Sequence, residues 1–147
     1  MSNEQKLAEA RTFLNDHFKA VFTVLDRGGA PSSSLMHYVI DEDFNLYIAT
    51  KRSFGKYSAM KNDARVSFAV IEESADPLVV VDMQGTAEEI PEEKTAEMYG
   101  FFKSKNDKKH YVQGAEDLVM FKIVPSTMRF MDARSGDLSI TDLIGRQ

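Results

Sequence analysis

The segment Asn45–Lys56, NLYIATKRSFGK, decides how the rest of the chain is interpreted. Its first half is apolar and contains Tyr and Ile, which favour a strand. Thr50–Ser53 then forms a polar, cationic turn, and Ser53 is placed to cap a short helix that begins at Phe54. Hydroxyls, ammonium groups and free backbone N–H groups at a helix start favour a bound anion, best of all a phosphate group. The segment therefore predicts a strand, a phosphate-binding turn and a helix, although ordinary solvated turns also carry such residues.

Composition and charge narrow the class of protein. The chain has 147 residues, of which 43% are hydrophobic and 28% are charged, so we expect one globular domain over residues 1–147. A net charge of −5 argues against a general nucleic-acid binder, and the absence of Cys excludes disulfides and thiolate chemistry. The first residues, MSNEQKLAEA, are polar, and no apolar run approaches the roughly 20 residues that cross a bilayer. We therefore expect a cytoplasmic protein with no membrane partner.

The first half of the chain predicts a helix followed by three strands. Apolar residues spaced three and four apart indicate a helix over about residues 3–19. Strands are predicted over 20–26, over 32–41 and in the first half of the quoted segment. Short turns that contain Gly, Pro, Asp or Asn separate these strands, so they form an antiparallel meander.

The second half predicts further strands around a helical insertion. Strands are expected over 65–72, 78–90, 117–124 and 127–133, with Pro125-Ser126 dividing the last two. The insertion covers about residues 91–113, and the tail from Asp137 forms either a short helix or a swapped arm. Gly85 marks a bend or bulge, or a close approach of a ligand to the backbone. Six or seven strands in so short a chain predict a mainly β fold, an antiparallel β-barrel with flanking helices.

The order of elements resembles the FMN-binding split-barrel family, the pyridoxamine 5'-phosphate oxidase-like proteins. The similarity extends from about Ala20 to Ile90 and is clearest in LYIATKRSFGKYSAMKNDARVSFAV and in QGTAEEI, residues 84–90. This resemblance implies a split β-barrel, FMN as the cofactor, and a homodimer with the flavin at the interface. The residues that it places at the cofactor are Thr50, Lys51, Ser53 and Lys56 around the phosphate, Ser33, Ser34, Leu35, Met36 and His37 along the ring, Gln84 at the flavin edge, and Arg129 lent by the partner subunit.

The chain departs from the oxidases that act on pyridoxamine phosphate. It contains no Trp and ends in TDLIGRQ rather than in a basic, proline-containing tail. We therefore do not expect the vitamin B6 reaction, and the chain is more similar to the small members of the family, including stress-associated flavin proteins. The function that the resemblance implies is a flavin-dependent oxidoreductase that acts on a small substrate, with hydride transfer at the flavin N5.

Two other functions stay open at this stage. A protein of the same fold that holds a flavin, a deazaflavin or haem without turnover would explain why no acid–base pair is visible. Haem would need His17, His37 or His110 as the iron ligand, and His37 is also the best-placed titratable group for catalysis. A barrel that binds single-stranded nucleic acid is disfavoured by the acidic charge balance. No metal site is predicted, because Asp41–Asp43 forms a simple hydrated turn.

Overall fold

The computed structural model describes residues 2–72, 74, 76–106 and 116–145. These residues form three helices and eight strands. The helices are α1 (Asn3–Asp16), α2 (Gly55–Asn62) and α3 (Glu92–Lys105). The strands are β1 (Lys19–Leu25), β2 (Pro31–His37), β3 (Val39–Ile40), β4 (Leu46–Lys51), β5 (Arg65–Ile71), β6 (Val79–Glu89), β7 (Leu118–Asp132) and β8 (Ser139–Ile144). None of the described helices is long and apolar enough to span a lipid bilayer.

All the strands belong to one antiparallel sheet in the order β2-β1-β5-β6-β7-β4-β3, and β8 pairs with the second half of β7. The two strands at the ends of this order, β2 and β3, are consecutive in the chain and are separated only by Tyr38. The sheet must therefore curl until its two ends meet at Tyr38. This arrangement confirms the predicted mainly β fold, an antiparallel split barrel with flanking helices.

The core lies inside the curled sheet, where alternate residues of every strand are buried. Helix α1 adds Ala10, Phe13 and Leu14 to this cluster. Helix α3 packs on the outside instead, where Phe102 meets Tyr47 and Met120 in a second, smaller cluster. One half of the outer surface, formed by β3, β4 and the start of β7, is therefore covered by a helix.

Several predicted boundaries are wrong. Helix α1 ends at Asp16 rather than at residue 19, because the chain becomes extended at His17 to begin β1. The strand predicted over 32–41 is divided at Tyr38, and its two parts pair with different strands, β1 and β4. The tail forms β8 against β7, not a short helix or a swapped arm. The insertion is helical over Glu92–Lys105, and residues 107–113 of its predicted range lie outside the described residues.

The two strands predicted on either side of Pro125 are one continuous strand, β7. The register between β6 and β7 shifts between Gln84 and Gly85, so that Gln84 faces Thr127 while Gly85 faces Pro125. Ser126 is the extra residue of a bulge, and a bulge tolerates a proline that cannot donate to the ladder. Gly85 is required there, because a Cβ atom at this position would overlap the carbonyl oxygen of Val124. The predicted bulge at Gly85 is confirmed.

We predict that Gly85→Ala destabilises the protein by about 3 kcal/mol, since β6 and β7 must separate to admit the methyl group. Gly100→Ala is the matched control: Gly100 lies in α3 with no atom near its missing Cβ, and alanine there should stabilise the helix by up to about 1 kcal/mol. Urea unfolding measures both changes. Equal stability of the two variants would contradict the close approach of β6 and β7.

Lys105, at the end of α3, reaches the point where the barrel closes. Its ammonium group donates to the Leu14 carbonyl oxygen at 2.9 Å and lies 4.0 Å from the centre of the Tyr38 ring. The Tyr38 hydroxyl donates to the same carbonyl at 2.7 Å. Burial lowers the pKa of Lys105 from 10.5 to about 8. The charged amine is therefore less favourable in the folded protein than in the unfolded chain.

This shift predicts a pH-dependent stability. Between about pH 8 and 10.5 the unfolded chain binds more protons at Lys105 than the folded protein, so the free energy of unfolding should rise with pH. Below pH 8 both states are charged at this residue, and the rise is absent. Lys105→Met keeps the chain length of the side chain without the charge. Urea unfolding at pH 7.5 and 10 should show the rise in the wild type relative to Lys105→Met, and parallel pH profiles would refute it.

Candidate functional site: the open seam between strands 2 and 4

A gap in the sheet, which we call the seam, separates β2 from the end of β4. Strand β4 pairs with β3 only through Leu46 and Tyr47, and β2 pairs only with β1 in the described part of the chain. Continuing the β3–β4 register would place Met36 opposite Thr50, but no pairing forms there. The seam therefore presents two facing strand edges whose N–H and C=O groups have no strand partner.

Lys56, in the first turn of α2, bridges the seam. Its Nζ donates to the Ser34 Oγ on β2 at 3.1 Å, and α2 packs against both β1 and β4. Burial lowers the pKa of Lys56. None of the ion pairs found among the described residues involves this ammonium group. An anion in the seam would give the Lys56 ammonium group a negatively charged partner.

Thr50 lies on β4 beside this bridge and carries a polar atom without a partner. The residue is 1% exposed, and its Oγ1 makes no hydrogen bond to any part of the chain that the structure describes. Leaving a buried hydroxyl unsatisfied costs about 1–3 kcal/mol, so a native protein usually keeps such a group for a functional role or satisfies it with a bound water, ion or ligand. A bound group with acceptor oxygens would satisfy the Thr50 hydroxyl.

Ser53 does not cap α2, and that prediction is wrong. The helix begins at Gly55 with Phe54 as its N-cap, and no side chain caps it. The Ser53 hydroxyl donates instead to the Asp117 Oδ2 at 2.7 Å. Asp117 reaches Ser53 because β7 begins beside the end of β4, where Lys51 pairs with Leu118. A hydrogen bond to a carboxylate is stronger than one to a neutral backbone group, so the serine turns towards Asp117.

The predicted residues of β2 alternate between the two sides of the sheet. Ser34 and Met36 face the barrel interior, and Met36 is buried. Ser33, Leu35 and His37 face outwards. Ser33 shares a hydrogen bond of 2.8 Å with Thr23, and the His37 Nδ1 lies 2.8 Å from the Phe18 carbonyl oxygen. A ligand at the edge of β2 could therefore contact the backbone of all five residues, but the side chains of only one of the two sets.

Two of the predicted site residues lie away from the seam. Gln84 is on β6, three strands from β2, or about 14 Å along the sheet. Arg129 is on β7, which pairs with β4 through Leu118–Ile123, but it lies ten residues beyond Val119, the partner of Thr50, or about 30 Å along the strand. Its Nε donates to the Asp82 Oδ2 at 3.1 Å. The structure thus brings Ser34 and Lys56 into contact and places Thr50 and Lys51 on β4, the other edge of the seam, with Ser53 just beyond β4. It does not bring Gln84 or Arg129 to the seam.

Both distant residues belong to the open face, which we define as the outward side of β2, β1, β5 and β6 with the second half of β7. No described helix covers it, and it exposes Val21, Leu35 and Ile71 by 41%, 64% and 46%. A cleft of about 500 Å³ crosses this face beside Thr23, Ser67 and Gln84. Sequence reasoning missed the cleft and Asp117, because both arise from pairing between strands that are distant in the chain.

A curled antiparallel sheet that is open along one seam, with a lysine and a buried hydroxyl beside the opening, defines a split β-barrel protein. The family model described as "Pyridoxamine 5'-phosphate oxidase" matches residues 7–132. The chain therefore belongs to the pyridoxamine 5'-phosphate oxidase family. A search of curated proteins finds no significant match.

Solved structures share the fold at low sequence identity. Conserved hypothetical protein Rv2991 from Mycobacterium tuberculosis is 22% identical, with a TM-score of 0.76 over 91% of this chain and 89% of that one. General Stress Protein 26 from Bacillus anthracis is 20% identical, with a TM-score of 0.67 over 92% and 97%. A heme binding protein from Mycobacterium smegmatis is 18% identical, with a TM-score of 0.73 over 92% of this chain but only 57% of its own. At these identities the similarity establishes the fold alone.

Proposed function

We propose that this protein binds FMN in the seam and acts as a flavin-dependent oxidoreductase on a small substrate. The observation that carries the proposal is the half-buried Lys56 ammonium group, whose partner among the described residues is the neutral Ser34 hydroxyl, together with the unsatisfied Thr50 hydroxyl on β4. Together these groups form a cationic set of hydrogen-bond donors, and no described carboxylate forms an ion pair with it. A phosphate monoester supplies both the charge and the acceptor oxygens.

Each group in the seam has a role in this proposal. Lys56, Ser34 and Thr50 would hold the phosphate group, and the unpaired edge of β2 would offer backbone donors and acceptors to the polar edge of the flavin ring. Bound FMN would accept a hydride at N5 and pass the electrons to a second acceptor. Lys51 and the β2 N–H groups would stabilise negative charge on the reduced ring. The catalytic acid or base stays unassigned, since no acid–base pair faces the seam.

The proposed site needs a second copy of the chain. An aromatic ring system of three fused rings is usually buried by its protein, whereas the seam of one chain is bounded by a strand edge and one short helix. The open face carries exposed apolar side chains and the outward-facing Gln84 and Arg129, which lie eight or more residues along the sheet from Val119, the β7 partner of Thr50. We infer a homodimer in which the open face of one subunit closes the seam of the other.

The second candidate function is a carrier of haem or a deazaflavin without turnover. His37 favours it, since its Nδ1 faces the Phe18 carbonyl oxygen, and iron-ligating histidines are commonly oriented by such a backbone contact. The two ring nitrogens of His17 face the Phe13 carbonyl oxygen and Glu72. His110 lies outside the described residues. One of the similar structures is a heme binding protein, so the alternative deserves a direct test.

We predict that protein purified without added cofactor shows a flavin absorption band, and that denaturation releases FMN. Lys56→Met should weaken FMN binding about tenfold or more, because it removes a charge-assisted contact to the phosphate. Thr50→Val should weaken it about threefold while it stabilises the free protein, since an unsatisfied buried hydroxyl is removed. Fluorescence titration and urea unfolding measure these effects.

Lys61→Met is the matched control, because Lys61 lies in the same helix but pairs with Glu89 at 2.9 Å. It should leave FMN binding unchanged. A Soret band in place of the flavin band would favour the haem carrier, and an F420-type spectrum would favour the deazaflavin carrier. Unchanged FMN affinity in both Lys56→Met and Thr50→Val would rule out the seam as the phosphate site. NAD(P)H oxidation under air would separate an enzyme from a carrier.

A second prediction concerns the oligomer. The wild type should sediment at twice the mass of the 16.6 kDa chain. Leu35→Glu should give monomers with weakened flavin binding, because it puts a charge at the most exposed apolar position of the open face. Leu138→Glu, which changes a similarly exposed leucine in the turn before β8, is the control and should remain dimeric. A monomeric wild type that binds FMN fully would refute the shared site.

A further inference from the structure

The turn between β4 and α2 already holds an anion that belongs to the chain itself. Two donors of Ser53 point to one oxygen of Asp117: the hydroxyl at 2.7 Å and the backbone N–H at 3.4 Å. The backbone N–H of Arg52 donates to the main-chain carbonyl of Asp117 at 3.0 Å. Three donors that an external phosphate could use are therefore occupied by a single residue.

Asp117 carries a negative charge in this position. The hydrogen bond from the Ser53 hydroxyl is the main cause that lowers the pKa of the carboxyl group, and the charge of Lys51 lowers it further. The carboxylate is thus ionised at neutral pH. Its acceptor oxygen stands where the sequence of the turn predicts a phosphate oxygen.

The cations of the turn and of the helix after it differ in whether a carboxylate lies near them. The charge of Lys51 contributes to the lowered pKa of Asp117, and Arg52 faces Glu89 at 3.5 Å. Lys56 is left as the cation that the seam offers without a carboxylate, three residues after Ser53 in the chain. A ligand phosphate held by Lys56 would also be repelled by the nearby Asp117, because both carry negative charge in a partly exposed site.

We propose that Asp117 determines how strongly the seam distinguishes a phosphorylated flavin from one without phosphate. It does so through its negative charge, which binds the Ser53 donors more strongly than a neutral group would and repels the terminal phosphate. The inference rests on the proposed flavin function and adds a specificity residue to it. Asp117 contacts the turn rather than the flavin ring, so its effect should be confined to ligands that carry the anion.

The test compares FMN with riboflavin in wild type and Asp117→Asn, which keeps an oxygen that can accept from Ser53. We expect the Kd for FMN to fall about fivefold in Asp117→Asn, the upper range for exposed charge pairs, and the Kd for riboflavin to change less than about twofold. The gain should shrink in 0.5 M NaCl, which screens exposed charges. If the asparagine variant proves unstable, Asp117→Ser replaces it and should likewise lower the Kd for FMN more than the Kd for riboflavin.

Asp43→Asn is the control, because it removes the same charge from the exposed turn at the other end of β4. It should change neither Kd. If Asp117→Asn binds FMN no better than the wild type, or gains equally for riboflavin, the role of Asp117 is refuted even though flavin binding stands.

An independent measurement uses inorganic phosphate and the backbone amide signals of Arg52 and Ser53 in NMR spectra. Phosphate should shift these signals at about fivefold lower concentration in Asp117→Asn than in the wild type and in Asp43→Asn. If neither flavin binds but this difference appears, the proposed function fails and the role of Asp117 at an anion site stands. Equal phosphate responses in all three proteins would overturn the inference.

Discussion

The structure depends on how the sheet is closed at Tyr38. Strands β2 and β3 meet the rest of the barrel on opposite sides of this residue, which is fully buried. Its hydroxyl donates to the Leu14 carbonyl oxygen at the end of α1, and its own carbonyl accepts from the Asn106 side chain after α3 at 2.9 Å. Two helices thus fix the closure point from outside the strand ladder. Because side chains and not strand pairing hold the two ends together, the edges of β2 and β4 can remain apart, and the seam is the result.

An open seam lowers the stability of the folded protein, because a few polar groups beside it lack partners. Thr50 keeps an unsatisfied hydroxyl, Lys56 keeps a desolvated amine, and β2 and the end of β4 do not pair with each other. Asp41, by contrast, accepts from Asn45 and Tyr47, but the buried Tyr99 hydroxyl and Asn106 Oδ1 near α3 also lack partners among the described residues. The seam differs from α3 because its unsatisfied hydroxyl accompanies a half-buried ammonium group that makes none of the ion pairs found among the described residues. A ligand with acceptor oxygens and a negative charge would satisfy both groups, and this combination is what favours a ligand in the seam.

The parts of the fold that sequence could predict are those that local pattern determines. A run of β-branched and aromatic residues identified β1, and apolar residues on one face identified β5. Gly85 marked a bulge because its backbone requirement is local. The division at Tyr38 could not be predicted, since residues 32–41 read as one strand and only the pairing with β1 and β4 separates them. The same holds for Pro125, which a bulge opposite Gly85 admits into β7, and for Ser53, whose partner Asp117 is 64 residues away in the chain. The choice of site residues came from family resemblance and remains a prediction, although the residues of β2, Thr50 and Lys56 do lie along one opening.

The ion pair between Arg129 and Asp82 bears on how a homodimer could complete its site. Both side chains lie on the open face, and the arginine is 40% exposed. An exposed pair of this kind contributes about 0–1 kcal/mol, so little free energy is lost when Arg129 turns from Asp82 to an anionic group on a partner subunit. Before the partner subunit binds, Asp82 would hold the guanidinium group of Arg129 on the open face. In the proposed homodimer, the pair therefore keeps Arg129 available for the partner subunit. Arg129 cannot reach its own seam, because it lies ten residues along β7 beyond Val119, the partner of Thr50.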